Sequence, residues 1–294
     1  MFLYKAIALL SSIFFVATAQ ATAYIEITDY PWSPYPPYTS NKQAMDLAFG
    51  TGNWTEYSDL DGAVPFLAET EHDFIMIDGS ANAIDTLKTY LITYNSEITS
   101  FVNNGGALYI NAAFRTRDFT TTPSSERYIE TGFNDVTLMP TGSDDYAGVV
   151  DSAHEIFTNY DTPIVPNTAD SNRYMGDEFA WGEVTGTGLT SIIEGADRNG
   201  ILNGEKFLSE IKYGTKQVCI LFGTMTPYID TQPKGTNLQT SILKYAQDCS
   251  KLSPPVPPTG EAKAIPAISL SQIILSIAGI LFLGLTVFRR FEDY

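Results

Sequence analysis

The sequence predicts an α/β domain on a mostly parallel sheet, with helices on both faces and a β-rich insertion, followed by one C-terminal transmembrane helix. Three observations predict it. Residues 73–78 (Asp-Phe-Ile-Met-Ile-Asp) and 107–111 (Ala-Leu-Tyr-Ile-Asn) are short apolar runs, the pattern of strands buried on both faces. Between them, residues 83–102 set Leu87, Leu91, Ile98, Phe101 and Val102 at helical spacing and stop at Asn104-Gly105-Gly106, a glycine helix end. Strand, helix and strand joined by short glycine turns make a parallel βαβ unit. The third observation is the uncharged apolar run 268–288, long enough to cross a hydrocarbon core.

The chain begins with Met1-Phe-Leu-Tyr-Lys5, an apolar run over 6–16 and then Ala17-Thr-Ala-Gln-Ala-Thr-Ala23. A cation, a short apolar core and small residues are the three parts of a secretory signal peptide. The reading is cleavage after Ala23, with Ala21 or Ala19 as alternatives, so residues 1–23 are assigned as the leader. Residues 24–252 form the extracytoplasmic domain. It opens on an alternating β-segment (24–28) and a Pro-rich loop (31–38) that cannot donate hydrogen bonds to a ladder. A helix over 41–49 and a weak strand over 54–60 follow, then the βαβ unit. Past Asn111 the pattern is irregular, with strands expected at 133–139 and 189–194 and a ribbon or hairpin over 201–213 around Asn203-Gly204. A buried strand at 218–222 and a helix at 237–247 close the domain.

Residues 253–267 are a Pro-rich linker (Ser-Pro-Pro-Val-Pro-Pro-Thr-Gly at its start), which reads as an extended spacer. The span 268–288 then ends directly on Arg289-Arg290, the cytoplasmic signature of a membrane helix, with 289–294 as a short tail. These details resemble the IPTL-type C-terminal sorting signals of Gram-negative bacteria, recognised by exosortase-like membrane proteases. The resemblance rests on Ile265-Pro266-Ala267-Ile268-Ser269, the apolar helix, and Arg289 and Arg290. Ala267-Ile268 stands where the family has Thr-Leu, and Leu270-Ser271-Gln272 where it has a Trp segment. A plain single-pass anchor is the alternative.

The chain carries 34 acidic and 17 basic residues, a net charge of −17. Such a surface repels phosphate backbones and excludes nucleic acid as a partner. It suits solubility, and also weak binding of Ca²⁺, a hard cation that prefers carboxylates; no other cofactor is implied. The two cysteines, Cys219 and Cys249, fall in an exported domain, where an even count points to a disulfide. The closing helix should run back antiparallel across strand 218–222 and bring Cys249 to Cys219. Two buried free thiols are the alternative. With only His72 and His154 besides, a zinc site is not expected.

Within the domain, Asp73-Phe-Ile-Met-Ile-Asp-Gly-Ser80 and the segment from Ile98 through Phe-Val-Asn-Asn-Gly-Gly to Asn111-Ala-Ala113 resemble a domain of bacterial surface and secreted proteins. Ser152-Ala-His-Glu-Ile-Phe157, residues 212–226 and residues 237–246 match it as well. The resemblance implies a flavodoxin-like fold similar to class I glutamine amidotransferases and ThuA-like proteins, and no function of its own. An amidotransferase needs a Cys at the tight turn after strand 107–111; the residues there are Asn111-Ala112-Ala113-Phe114, so no thiolate can form. No catalytic residue is assigned.

The remaining candidate is the rim where parallel strands end, the usual ligand crevice of open α/β sheets. It is expected to display Asp29 and Trp32, Asp78 and Ser80, Asn111 and Arg115, and Thr224 and Thr226, with Asp177-Glu178 and Trp181 folding over from the insertion. Carboxylates with aromatics suit sugar binding, and a carboxylate pair suits glycoside hydrolysis. Equally, strand-end Asp and Asn commonly cap turns. The functional expectation is an exported, membrane- or surface-anchored, non-catalytic binding or structural module of the cell envelope, its partners polysaccharide or a surface protein. A carbohydrate-active hydrolase using Asp29, Asp78 or Glu178 is the rival.

Overall fold

A computed structural model describes residues 22–27, 40–58, 72–79, 83–114, 128–140, 146–159, 173–175, 182–197, 201–225 and 234–252. The chain divides between Pro255 and Val256 into two units, and every described residue lies in the first. The linker, sorting motif and expected membrane span therefore lie outside the described residues. Among the described residues, no helix is long and apolar enough to cross a membrane.

The strands β1 (Thr22–Glu26), β2 (Thr55–Ser58), β3 (Phe74–Asp78), β4 (Ala107–Asn111) and β12 (Val218–Gly223) form the parallel half of a nine-stranded sheet. Its order is β2-β1-β3-β4-β12-β11-β10-β7-β8. The last four are β11 (Leu202–Tyr213), β10 (Thr190–Ala196), β7 (Tyr146–Val149) and β8 (Arg173–Met175), all joined through antiparallel ladders. A second sheet of β5 (Ile129–Glu130), β6 (Thr137–Pro140) and β9 (Gly182–Thr185) is also antiparallel. The β-rich insertion thus extends the main sheet and builds a small one beside it.

Both faces of the sheet are covered, which is why its strands read as continuous apolar runs. Ile25, Ile75, Ile77, Leu108, Ile110 and Phe222 meet the apolar stripes of α2 (Ile84–Thr93) and α3 (Asn95–Asn104), including Leu87, Leu91, Ile98 and Phe101. Tyr24, Phe74, Met76, Tyr109 and Leu221 share the opposite core with α1 (Ser40–Phe49), the short α4 (Glu155–Thr158) and α5 (Lys234–Leu252). The small sheet adds Ile129, Leu138 and Val184 to the first core.

Several boundaries differ from the sequence expectation, each for a local reason. The helix expected over 83–102 is two helices broken at Tyr94, whose backbone (φ −104°, ψ 18°) leaves the helical region. Its ring instead packs on Tyr90, 4.8 Å between centroids. Gly105 ends α3 at φ 109°, as its glycine predicts. Residues 133–136 form a turn rather than a strand start, because Asn134 and Asp135 adopt positive φ. The hairpin turn expected at Asn203-Gly204 lies inside β11; the turn falls earlier, where Asp197 N–H donates to Ile201 O. Gly204, at φ 86°, absorbs irregular register between β10 and β11. The first strand begins at Thr22, two residues before the expected start of the domain.

Cys219 of β12 and Cys249 of α5 form a disulfide, with Cα atoms 5.8 Å apart. The antiparallel return of the last helix delivers the pair, as the sequence reading expected.

Candidate functional site

Parallel register aligns the final residue of each inner strand. Glu26 pairs with Asp78, Asp78 with Asn111 and Asn111 with Gly223. The result is one polar rung at the carboxyl edge of the sheet, all on the face covered by α1 and α5. Alternation along each strand puts Tyr24, Met76 and Tyr109 one layer below it.

At its centre Asp78 is fully buried. Asn41 of α1 donates one amide hydrogen to Asp78 Oδ2 (2.9 Å) and the other to Tyr24 Oη (3.2 Å). Asn111 donates one to Asp78 Oδ1 (3.0 Å) and one to Met225 O (3.0 Å). Gln239 of α5 reaches Asn41 Oδ1 at 3.4 Å, and the Tyr109 hydroxyl reaches Asn111 Oδ1 at 3.4 Å. Burying a carboxylate is tolerable only when its oxygens are taken up by donors, and here each amide gives one of its two hydrogens to that task. Burial first, and then the Asp78 charge, push the Tyr24 and Tyr109 phenols well above their ordinary range. Both phenols stay protonated.

The second cluster stands one strand over. Lys42 of α1 bridges Glu26 Oε2 (3.0 Å) and Glu56 Oε1 on β2 (2.8 Å). The Glu26 side chain is almost wholly enclosed, while Lys42 and Glu56 are about one-third open to solvent. Burial raises the Glu26 carboxyl from 4.5 to about 7; the hydrogen bond and charge of Lys42 oppose that rise without cancelling it. Burial works against the charged Lys42 ammonium too, but its bonds to Glu56 and Glu26 prevail and raise its pKa.

Among the sequence-chosen residues, Asp78 and Asn111 are brought together, in direct contact and buried rather than displayed, and Thr224, expected at the rim, is fully buried as well. Asp29, Trp32, Ser80, Arg115, Asp177, Glu178, Trp181 and Thr226 lie outside the described residues, as do Ile265, Pro266, Arg289 and Arg290. Their described chain neighbours share one edge: Gly79, Phe114 and Met225 follow the ends of β3, β4 and β12. Gly182, next to Trp181, accepts a hydrogen bond at its carbonyl from Thr224 Oγ1 (2.7 Å). A side chain on Gly182 would meet Phe114 at 2.7 Å and Met139 O at 2.8 Å, so the insertion is seated directly on the ends of β4 and β12.

Sequence reasoning missed Glu26, Asn41, Lys42, Glu56 and Gln239. A usable signal was present for Glu26: it alternates with Tyr24 in a strand whose faces must both be covered, so its charge needed a cation. Asn41 and Gln239 gave no signal, because their roles depend on which helix face meets which strand.

Other chemistry-bearing groups are accounted for structurally. At the position of an amidotransferase nucleophile, Asn111, Ala112, Ala113 and Phe114 are all buried. His154 caps α4 by accepting from Ile156 N–H at Nδ1 (3.3 Å) and packs on Tyr245; burial lowers its pKa against the pull of the Glu210 charge. Asp151 accepts from Ala153 N–H (2.8 Å) in a turn. Among the described residues, Glu210, Cys219 and Cys249 bring three ligand atoms, one carboxylate oxygen and two sulfurs, within 4.8 Å of one another. The two sulfurs are bonded to each other, and Glu210 accepts from the Tyr245 hydroxyl at 2.6 Å. That arrangement is a disulfide beside a buried carboxylate rather than a metal centre.

No protein-family model matches the chain, and no curated protein matches it. Among solved structures, a ThuA-like protein from Bacteroides uniformis is similar at 9% identity and a TM-score of 0.37, over 76% of this chain and 89% of that one.

Proposed function

We propose that this chain is an exported module of a bacterial cell envelope, held by its C-terminal tail, that binds or scaffolds without catalysing a reaction. The observation that carries the non-catalytic reading is the internal saturation of the strand-end polar rung. A glycosidase needs two carboxylates that face substrate, one to hold a proton and one to attack or activate water. Asp78 has both oxygens taken by Asn41 and Asn111 beneath two helices, and Glu26 is closed over by Lys42. Such a network rigidifies the carboxyl edge of the sheet and commits its carboxylates to partners inside the fold.

The export and anchoring part rests on the leader pattern, the Pro-rich spacer, the apolar run ending in Arg289-Arg290, and the disulfide, which suits an oxidising compartment. The carbohydrate-hydrolase reading keeps one favouring observation, the adjacency of Glu26 and Asp78 with Glu26 raised to about 7. One experiment separates the two. The purified exported chain is incubated with a panel of envelope polysaccharides, scoring retention on the polymer and release of reducing ends. Retention without release is expected. Release that disappears in Glu26→Gln and Asp78→Asn would replace the module reading with the enzyme.

A further inference from the structure

Export implies a leader that is removed, and the first strand bears on where. Three overlapping small-x-small sites compete: Ala17-Thr18-Ala19, Ala19-Gln20-Ala21 and Ala21-Thr22-Ala23. Each presents alanine at both required positions, so all three satisfy the small-residue rule, and the sequence reading placed the cut after Ala23. The fold does discriminate between them. β1 is an inner strand, flanked by β2 and β3, and it begins at Thr22.

Thr22 pairs with Phe74 and Ala23 with Ile75, two of the five rungs that join β1 to β3. Ala23 also pairs with Thr55, one of four rungs to β2. Thr22 Oγ1 accepts from Gln247 Nε2 at 3.0 Å, which ties the start of the strand to α5. Both residues are at most 2% exposed, and Tyr24 is fully enclosed. Cutting after Ala23 would delete these rungs and the Gln247 contact.

Leader peptidases act on an extended chain, so the cut precedes folding and the fold inherits its consequence. We infer that the mature chain begins at Gln20 or Thr22, by cleavage after Ala19 or Ala21 and not after Ala23. This rests on the export reading above. Cleavage at either upstream bond leaves all five rungs between β1 and β3 in place.

The test is to express the full-length chain with its own leader in an exporting bacterium, recover it from the envelope, and identify its N-terminal peptide by mass spectrometry. A peptide starting at Gln20, in open or cyclised form, or at Thr22 is expected. A start at Tyr24 overturns the inference and leaves export intact. A chain that retains Met1 and stays in the cytoplasm overturns export, and the cleavage with it.

Discussion

Replacing Glu26 with Gln should stabilise this protein at alkaline pH, although it removes one partner of an ion pair. The reasoning starts from burial. The carboxyl of Glu26 is pushed from 4.5 to about 7 because enclosure disfavours its charge more than Lys42 favours it. Between those two pH values the folded chain holds a proton at Glu26 that the unfolded chain has released. Stability contributed by this site is therefore full below about pH 4.5, falls as pH rises toward 7, and levels off above. The gap corresponds to about 3 kcal/mol, and partial solvent access through the Lys42 side brings the working figure to about 1–3 kcal/mol. Gln keeps the shape and never ionises, and Lys42 retains Glu56. Urea unfolding followed by tryptophan fluorescence at several pH values from 4.5 to 8.5 would measure it. The variant and the parent should coincide at the acid end, with the variant more stable by about 1–3 kcal/mol above pH 7.5. A variant less stable than the parent at pH 8 would show that the ion pair outweighs desolvation, and would refute the argument.

Three further outcomes follow from the same geometry. Asp78→Ala strips the acceptor from two buried amides and should cost about 2–5 kcal/mol, read as a lower urea midpoint with an unchanged slope. Cys249→Ser opens a loop of sequence separation 30 and should cost about 3–4 kcal/mol on the chain-entropy estimate; a parent treated with reductant should show the same loss, while the variant does not respond to reductant. Gly223→Ala sets a methyl 2.6 Å from Tyr109 Oη and 2.7 Å from Asn111 Oδ1, so it should cost about 1–3 kcal/mol and shift near-ultraviolet tyrosine dichroism.

The parts of the fold legible in the sequence were those fixed by local chemistry. β3 and β4 announce themselves as apolar runs, Gly105 marks the end of α3, and Cys219 and Cys249 follow from compartment and helix direction. What escaped was set by partners distant in sequence. The break at Tyr94 depends on ring packing as well as on spacing. Strand β7 and the length of β11 are decided by ladders to each other's neighbours, which periodicity over a few residues cannot reveal. At the candidate site, Asp78 and Asn111 were identifiable as strand-end polar residues. Their enclosure was not, because it is imposed by Asn41 and Gln239, residues 198 positions apart in sequence. A strand-end Asp reads the same whether a helix lies over it or a ligand does.

The disulfide sets how mechanical load would enter the domain. A pull applied beyond Leu252 acts first on the last turn of α5, where three residues separate Cys249 from the helix end. From Cys249 the force passes through a covalent bond to Cys219, in a strand held on both sides by β4 and β11. Peeling the helix away from its C-terminal end is arrested at that point. Tension is then passed to a strand hydrogen-bonded on both sides, and a domain tethered by its tail would not unravel past Cys249 from that end while the disulfide stays closed.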